Sequence, residues 1–555
     1  MSQSRIPPAT PPGETDVYAI HGADPEVLAY AMAKYSRSAL TMRESLAEIS
    51  SQRAEQFLNT FYFQYGHRSI ADLAHIPFAI ERLSLLAAIA LVDEQRWDGQ
   101  ERSTRYQNFR KSGWFTPSTL GPATPAYTSA IESLFHAYEA IGGNMHNALK
   151  AAIPQPPEMD PGAYDRTLKA RAFDVARYLL PLATNTSLGQ IVNARTLETQ
   201  VSRLLTSPLT EVRNLAEKLR IAATEPAWNL QQNSAEALHA RIATLSSTHP
   251  DDPTIADSAA DLLLRPIKTA PTLVKYAKAN PYQANTRAEL AQAAAELMAN
   301  EPIDPAPVVD LIGNLPDGTP ESLELELATS LLYPVCHYSY RQLRANVAAL
   351  PAARRDEIIA LGTRHRSHHD ELLRAFSSGV SLRFDILMDI GGFRDMHRHR
   401  RCIQLLQDFT DLHGYEEPTC PGQPTLAEAG LLADYTAAMD AAFTAYRTLR
   451  DSHTHSATSK TTGAPGLTSE TWIPGTAPNP DAAYLLPLGT RCRSLFKMDF
   501  AEALYIAELR STPAGHFSYR RVAWEMFRTL TAQHPTLAHL FRIEDVNQPI
   551  DLLKR

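Results

Sequence analysis

Two clusters between Gly66 and Tyr106 hold side chains of the kinds that can bind an anion. The first is Gly66-His67-Arg68-Ser69. The second, Gln100-Glu101-Arg102-Ser103-Thr104-Arg105-Tyr106, sets a carboxylate, a hydroxyl, a guanidinium and a phenol at every second position or closer. In an extended loop such groups converge on one ligand, because a guanidinium offers a phosphate two parallel donors and a serine adds a third. A solvated charged loop after a helix has much the same composition. A third cluster, Met396-His397-Arg398-His399-Arg400-Arg401, reads as an anion-binding patch or as a solvated helix end. Arg364-His365-Arg366-Ser367-His368-His369 is likewise His-rich and reads as a solvated helix. A metal site is the lesser alternative for each run, since alternate histidines without nearby Cys or carboxylates are a weak signal of one.

The elements that must position these clusters are mainly helical. Asp16 to His21 reads as a short strand. Asp24-Pro25-Glu26 opens a helix, with Asp as N-cap, Pro in the first turn and Glu at the positive helix end. Further helices are expected over about 46–65 and 80–92, within 117–161, and over Arg171 to Leu180, where Pro181 stops the last one. Gly189 to Val192 reads as a strand or turn, and two amphipathic helices follow by 222. Asp93-Glu94-Gln95 reads as a polar helix end.

At 555 residues the chain is long for one domain. Its apolar fraction of 44% can supply real cores. A net charge of -8 argues against a protein whose main task is gripping nucleic acid. Four scattered cysteines form no C-x-x-C pair, so neither a zinc knuckle nor a disulfide framework is indicated. With no apolar run of 18 residues and no leader-like start, no membrane association and a cytoplasmic setting are expected. There is no P-loop, and Gly391-Gly392 opens no Rossmann turn.

The chain repeats itself. Tyr178-Leu-Leu-Pro-Leu-Ala-Thr184 recurs 306 residues on as Tyr484-Leu-Leu-Pro-Leu-Gly-Thr490. His67-Arg68-Ser69 with Asp72 recurs 298 residues on as His365-Arg366-Ser367 with Asp370. The expected organisation is a disordered arm (1–14), copy one (15–222), an Ala/Pro-rich helical linker (223–317), copy two (318–545) and a tail (546–555).

These residues resemble the flavin-dependent thymidylate synthases, the ThyX family, whose motif has the form R-H-R-x-x-S-x-N-E-x-S-x-R-Y. Copy one carries Gly66-His67-Arg68-Ser69, Glu101-x-Ser103-x-Arg105-Tyr106, Leu180-Pro181, Asn193-Ala194-Arg195 and Glu211-Val212-Arg213. Copy two carries Arg398-His399-Arg400, Leu486-Pro487, Thr490-Arg491, Leu509-Arg510 and Arg520. The losses are complementary. In copy one the family's R-H-R falls on Asp93-Glu94-Gln95. In copy two its E-x-S-x-R-Y falls on Leu406 to Asp411, and Asn185 stands where copy two has Arg491.

The resemblance implies an α+β fold of two tandem ThyX-like units, each helix-rich around a small antiparallel sheet. It implies reductive methylation of dUMP to dTMP, with FAD as cofactor and methylenetetrahydrofolate and NADPH as cosubstrates. Arg398, His399, Arg400, His67 and Asn193 would then face FAD. Glu101, Ser103, Arg105, Tyr106, Arg491, Arg520 and Arg213 would hold dUMP or a similar pyrimidine nucleotide. Arg213 and Arg520 read equally well as helix caps or partners of acids. No protein nucleophile is implied. Composite sites made from both copies are expected, one loop facing one basic triplet, in a homodimer that rebuilds a four-unit arrangement. The alternatives are modification of another pyrimidine nucleotide and a non-catalytic nucleotide-binding relative.

Overall fold

The computed structural model describes residues 22–34, 68–228, 235–248, 266–312, 323–365, 373–377, 381–452, 478–533 and 541–554, apart from 276 and 499, with isolated positions at 20, 42, 45, 46, 254, 257, 259, 260 and 538. The arm and His67 lie outside them, as do the strand expected over 16–21 apart from position 20, the helix expected over 46–65 apart from position 46, and most of the second His-Arg-Ser segment.

Copy one runs α1 (Pro25–Lys34), β1 (His75–Ser84), α2 (Leu85–Val92), β2 (Asp98–Glu101), α3 (Thr124–Ala152), α4 (Pro161–Ala176), β3 (Asn185–Asn193), α5 (Ala194–Leu205) and α6 (Thr210–Thr224). The middle holds α7 (Ala235–Thr248), α8 (Pro281–Leu297) and β4 (Val309–Leu311). Copy two follows with α9 (Leu323–Leu332), α10 (Tyr340–Ala349), α11 (Ala352–Arg364), β5 (Leu382–Asp389), α12 (Ile390–Met396), β6 (Ile403–Leu406), α13 (Leu432–Arg450), β7 (Arg491–Met498), α14 (Phe500–Ser511) and α15 (Phe517–Gln533). The sheets are β1-β3-β2 and β4-β5-β7-β6. β2 pairs with β3 from Asp98↔Ile191 to Glu101↔Leu188. β6 pairs with β7 from Ile403↔Lys497 to Leu406↔Ser494, the same arrangement one repeat later. This is the expected α+β class in tandem.

Two compact units divide the chain differently from the repeat. The first comprises 1–76, 192–199 and 218–277; the second comprises 77–191, 200–217 and 278–555. In the first, the Glu26 carboxylate accepts the backbone N–H groups of Thr272 (2.8 Å) and Leu273 (2.6 Å), and Arg195 pairs with Asp72 at 3.2 Å. Asn193 is spent there as a helix cap, its Oδ1 accepting Thr196 N–H at 2.8 Å.

The second unit is built around the repeated heptapeptides, which cross each other antiparallel at Pro181↔Pro487. Leu182 N–H donates to Leu486 O and Leu488 N–H to Leu180 O, each at 2.9 Å. Ala183 N–H donates to Tyr484 O and Gly489 N–H to Tyr178 O, again at 2.9 Å. These four bonds are two pairs related by the repeat, so the copies sit about a local pseudo-twofold. Proline suits its centre because it has no N–H to leave unpaired. The next turn out repeats as well. Leu85 and Leu86 donate to Thr184 and Leu182, as Ile390 and Gly391 donate to Thr490 and Leu488. Tyr178, Leu180, Leu182, Tyr484, Leu486 and Leu488 are buried in one apolar core with α3, α4 and α13.

Several sequence expectations are corrected. The helix placed over 80–92 begins only at Leu85, because Ile76 and Ile80 alternate with exposed positions as a strand face and Ser84 caps the helix, its Oγ accepting Ala87 N–H at 2.9 Å. The helix ending before Pro181 starts at Pro161, capped by Asp160, and tightens to a 3-10 turn over Arg177–Leu179. The stretch read as a linker contributes β4 to the second sheet, from Val309↔Ile386 to Leu311↔Phe384. Gly391-Gly392 serves packing: a Cβ on Gly392 would stand 2.5 Å from Ser518 Oγ.

Copy one holds Ala183 where copy two holds Gly489, and a Cβ at 489 would stand 2.6 Å from Tyr178 Cδ1. Gly489→Ala is expected to destabilise the protein by about 1–3 kcal/mol through overpacking, and Ala183→Gly by less. Urea unfolding of both variants checks this asymmetry.

Candidate functional site

All the contacts of this site lie within the second unit. The end of β2 is held by Arg102 N–H on Ser187 O at 2.9 Å, which sends the following loop toward α12 and α15. There Glu101 forms an ion pair with Arg394 of α12, and each side chain is only 7% exposed. Arg105 forks onto Asp174 of α4, Nε to Oδ1 at 2.7 Å and Nη2 to Oδ2 at 3.1 Å. Its Nη1 donates to Tyr519 Oη at 3.1 Å and its Nη2 to Ala514 O at 3.3 Å. Burial opposes the Arg105 charge, but Asp174 outweighs it and raises the guanidinium above its ordinary value. Asp395 pairs with Arg177 at 3.1 Å. Burial pushes its carboxyl up, while Arg177, Arg398 and Arg105 together pull it down to about 2. One carboxylate therefore feels both the copy-one loop and the copy-two basic run.

The repeat-related arrangement is apolar. Ile89 and Leu406 stand where Arg394 and Glu101 stand, and both join the main core. Thr410 replaces Arg105 and Val212 replaces Tyr519.

Beside this junction is a small cleft lined by residues of both copies, including Asp93, Glu94, Arg374, His397, His399 and Arg400. The triplet expected to be a polar helix end does follow α2, with Asp93 as its C-cap, and two of its residues are also charge-paired: Asp93 with Arg374 at 2.7 Å and Glu94 with Arg203 at 2.8 Å. Burial raises the Asp93 carboxyl, and Arg374, Arg203 and His397 reverse that, leaving it well below its usual range. Burial prevails at Glu94 and raises its pKa. The basic run is only partly solvated, with Arg398 and Arg401 exposed and His397 and His399 buried. His397 Nδ1 donates to Gln404 Oε1 at 2.7 Å, and Nε2, 3.7 Å from Asp93, has no hydrogen-bond partner among the described residues. Arg510 Nε donates to His399 Nε2 at 2.8 Å, which places the His399 proton on Nδ1, 3.4 Å from Glu502. Burial holds His397 down at about 4 and, with Arg510 and Arg400 beside it, His399 at about 3. Both rings are neutral near pH 7. Arg400 lies over the Trp97 ring, 5.0 Å from its centroid, and donates to Glu94 O at 3.2 Å; its Nε and Nη2 have no hydrogen-bond partner among the described residues.

The other candidates separate. Ser103 Oγ accepts Arg105 N–H at 3.2 Å, and Tyr106 is 56% exposed. Arg491 donates to Glu416 at 2.7 Å. Arg520 is buried, with Nε on Ser511 O at 3.0 Å, and burial lowers its pKa. Arg213 is spent on Ser207 O and Pro208 O, each at 2.7 Å, and on Thr210 Oγ1 at 2.8 Å. His365 pairs with Glu289 rather than standing free on a helix. Sequence reasoning missed Arg394, Asp174, Asp395, Arg374 and Trp97. The one usable signal was that a triplet with two carboxylates in copy one, Asp93-Glu94-Gln95, occupies the repeat position of a basic triplet in copy two.

Two ThyX-like units fused in tandem are the class that this fold defines. The chain belongs to the family described as Thymidylate synthase complementing protein, whose pattern matches residues 19–225 and 347–536. A UPF0159 protein of Chlamydia muridarum is 24% identical over 552 residues, spanning 94% of this chain and 91% of that protein. A flavin-dependent thymidylate synthase of Clostridium tetani is 25% identical over 211 residues, spanning 37% of this chain and 81% of that protein. A solved ThyX structure from Helicobacter pylori with FAD and dUMP aligns at 16% identity and TM-score 0.24, over 36% of this chain and 88% of that one.

Glu101→Ala leaves Arg394 buried without its counter-charge and is expected to cost about 3–5 kcal/mol. The double variant Glu101→Leu/Arg394→Ile copies the apolar arrangement of Leu406 and Ile89 and is expected to regain most of that loss. Chemical denaturation of the single and double variants checks both. Acid has a definite sign here. Between pH 6.5 and about 4 the unfolded chain binds protons at the positions of His397 and His399 that the folded chain refuses. Stability therefore falls as pH falls through that window, by up to about 1.4 kcal/mol per pH unit for each ring. Replacing His399 with Gln should flatten the slope, measured as Tm against pH.

Proposed function

We propose that this chain is a flavin-dependent thymidylate synthase-like enzyme that reductively methylates dUMP to dTMP, using methylenetetrahydrofolate and NADPH. The observation that carries the reading is the junction where Glu101 of copy one meets Arg394 of copy two and where Asp395 feels both Arg105 and Arg398. Family membership supplies the reaction class. The two functional units are taken as 15–222 and 318–545. On this reading each chain keeps one composite site, and its apolar counterpart at Ile89 and Leu406 is silent.

The residues fit an anionic portion of FAD. Arg398 is exposed, and Arg400, which lines the cleft, carries two donors without a hydrogen-bond partner among the described residues. The cleft is far smaller than a dinucleotide, and the reading takes a second copy, in a homodimer, to complete it. Bound FAD supplies the hydride chemistry, and the protein orients and tunes it. The guanidinium groups of Arg398 and Arg400 favour negative charge on the ligand. His397 Nε2 is a neutral acceptor at the cavity wall. Ser103 keeps its O–H for the nucleotide. Arg105, Arg213 and Arg520 act as braces, since their guanidinium donors serve internal partners.

That bracing favours a second reading, a nucleotide-binding relative without turnover, because the expected phosphate clamp is already occupied by Asp174. Visible absorption of the purified protein beside Arg398→Ala tests the first reading. A flavin spectrum lost or weakened at least tenfold in the variant, and perturbed by dUMP, is the expected result. A colourless protein that ignores added FAD refutes it. A flavin-bound, dUMP-binding protein with no dTMP formed selects the second reading.

A further inference from the structure

We infer that Trp97 is a positioning residue for Arg400: its indole is the platform that aims the Arg400 Nε and Nη2 donors at a phosphate or pyrophosphate group in the cavity. The inference rests on the reading that this cavity receives an anionic ligand.

The platform is built entirely by copy one. Trp97 is buried, and its Nε1 donates to Gln190 Oε1 at 2.8 Å. Gln190 bonds Gln200 at 3.1 Å, and Gln200 Nε2 donates to Leu91 O at 2.8 Å. The ring is thus tied to the end of α2. It also lies against the backbone of Gly99, where a Cβ would stand 2.5 Å from Trp97 Cζ2 and 2.7 Å from Cη2. Only glycine lets the ring occupy this place. Indole on one side and the Glu94 carbonyl on Nη1 fix the plane of the Arg400 guanidinium. An arginine stacked on an aromatic face keeps its in-plane N–H groups free along the edge, the geometry that a phosphate accepts in pairs. In Arg400 those edge donors, Nε and Nη2, are buried and have no hydrogen-bond partner among the described residues. The neighbouring carboxylates of Asp93 and Glu94 are taken by Arg374 and Arg203, so they do not claim the edge. In the family motif, Trp97 falls on a position that the pattern leaves open.

Calorimetric titration of the full-length protein with inorganic pyrophosphate tests the assignment. Trp97→Leu is expected to weaken binding about tenfold, and Trp97→Phe, which keeps a ring, by no more than about threefold. Arg400→Lys keeps the charge, loses the planar edge, and is expected to weaken binding about tenfold with unchanged Tm. Trp97→Leu/Arg400→Ala should bind no more weakly than Arg400→Ala alone, a coupling that a merely structural tryptophan would not produce. If Trp97→Leu does not fold, Trp97→Phe and Arg400→Lys decide. Wild-type affinity in Arg400→Lys, or a Trp97→Leu loss that persists in full on the Arg400→Ala background, overturns the inference. Wild-type protein that ignores pyrophosphate also overturns it. The flavin reading then stands or falls separately on the absorption of the Arg398→Ala variant.

Discussion

Four backbone hydrogen bonds around Pro181 and Pro487 hold the second unit's two halves in register. They need two segments with nearly the same side chains, because a pseudo-twofold crossing asks each residue to fill a space shaped by its own repeat. Proline at the centre removes a donor that could not be paired there. The leucines beside it close over the crossing, and the tyrosines at its edge reach the opposite copy: Tyr178 donates to Asp389 at 3.1 Å and Tyr484 to Glu211 at 2.9 Å. The junction between the β2 loop and α12 exists only because this crossing sets α2 and α12 on related sides of one core.

Around the crossing the copies have diverged by exchange of equivalent partners. In copy one, Ser84 caps α2 and Glu211 of α6 supplies the carboxylate, with Ser84 Oγ on Glu211 at 2.6 Å. In copy two the cap is Asp389, and the hydroxyl comes from Ser518 of α15. The acid and the hydroxyl have changed places while the cap and the tyrosine contact persist. Burial raises the Asp389 carboxyl, and Arg177 offsets part of that shift. A buried carboxylate is tolerable only when donors surround it, so the exchange had to move both partners together.

This explains which parts were legible in the sequence. The heptapeptide repeat was visible because the crossing constrains contiguous residues. The α+β class and the complementary losses followed from motifs with short spacing. The strand β1 (His75–Ser84) was obscured, since Ile80 to Val92 is apolar enough to pass for one helix and only Ser84 marks the change. Arg105 looked like a ligand-binding residue because its partner Asp174 lies 69 residues away. Asp93 read as no more than a polar helix end because its partner Arg374 lies 281 residues away. A charge pair between distant segments leaves no periodicity to detect.

The same physics accounts for one polar junction and one apolar junction in a single chain. A buried Glu–Arg pair adds little stability over well-packed apolar side chains, since desolvation offsets the attraction. A symmetric assembly of identical units must carry that arrangement everywhere or nowhere. Fusion removes the constraint: one junction keeps Glu101 and Arg394, while the other is packed with Ile89 and Leu406. The acidic triplet then becomes intelligible. Once copy one no longer needs basic residues at Asp93-Glu94-Gln95, carboxylates there can neutralise Arg374 and Arg203, which would otherwise crowd the positive charge retained at Arg398 and Arg400. The lost motif in one copy is part of what lets the other copy keep its own.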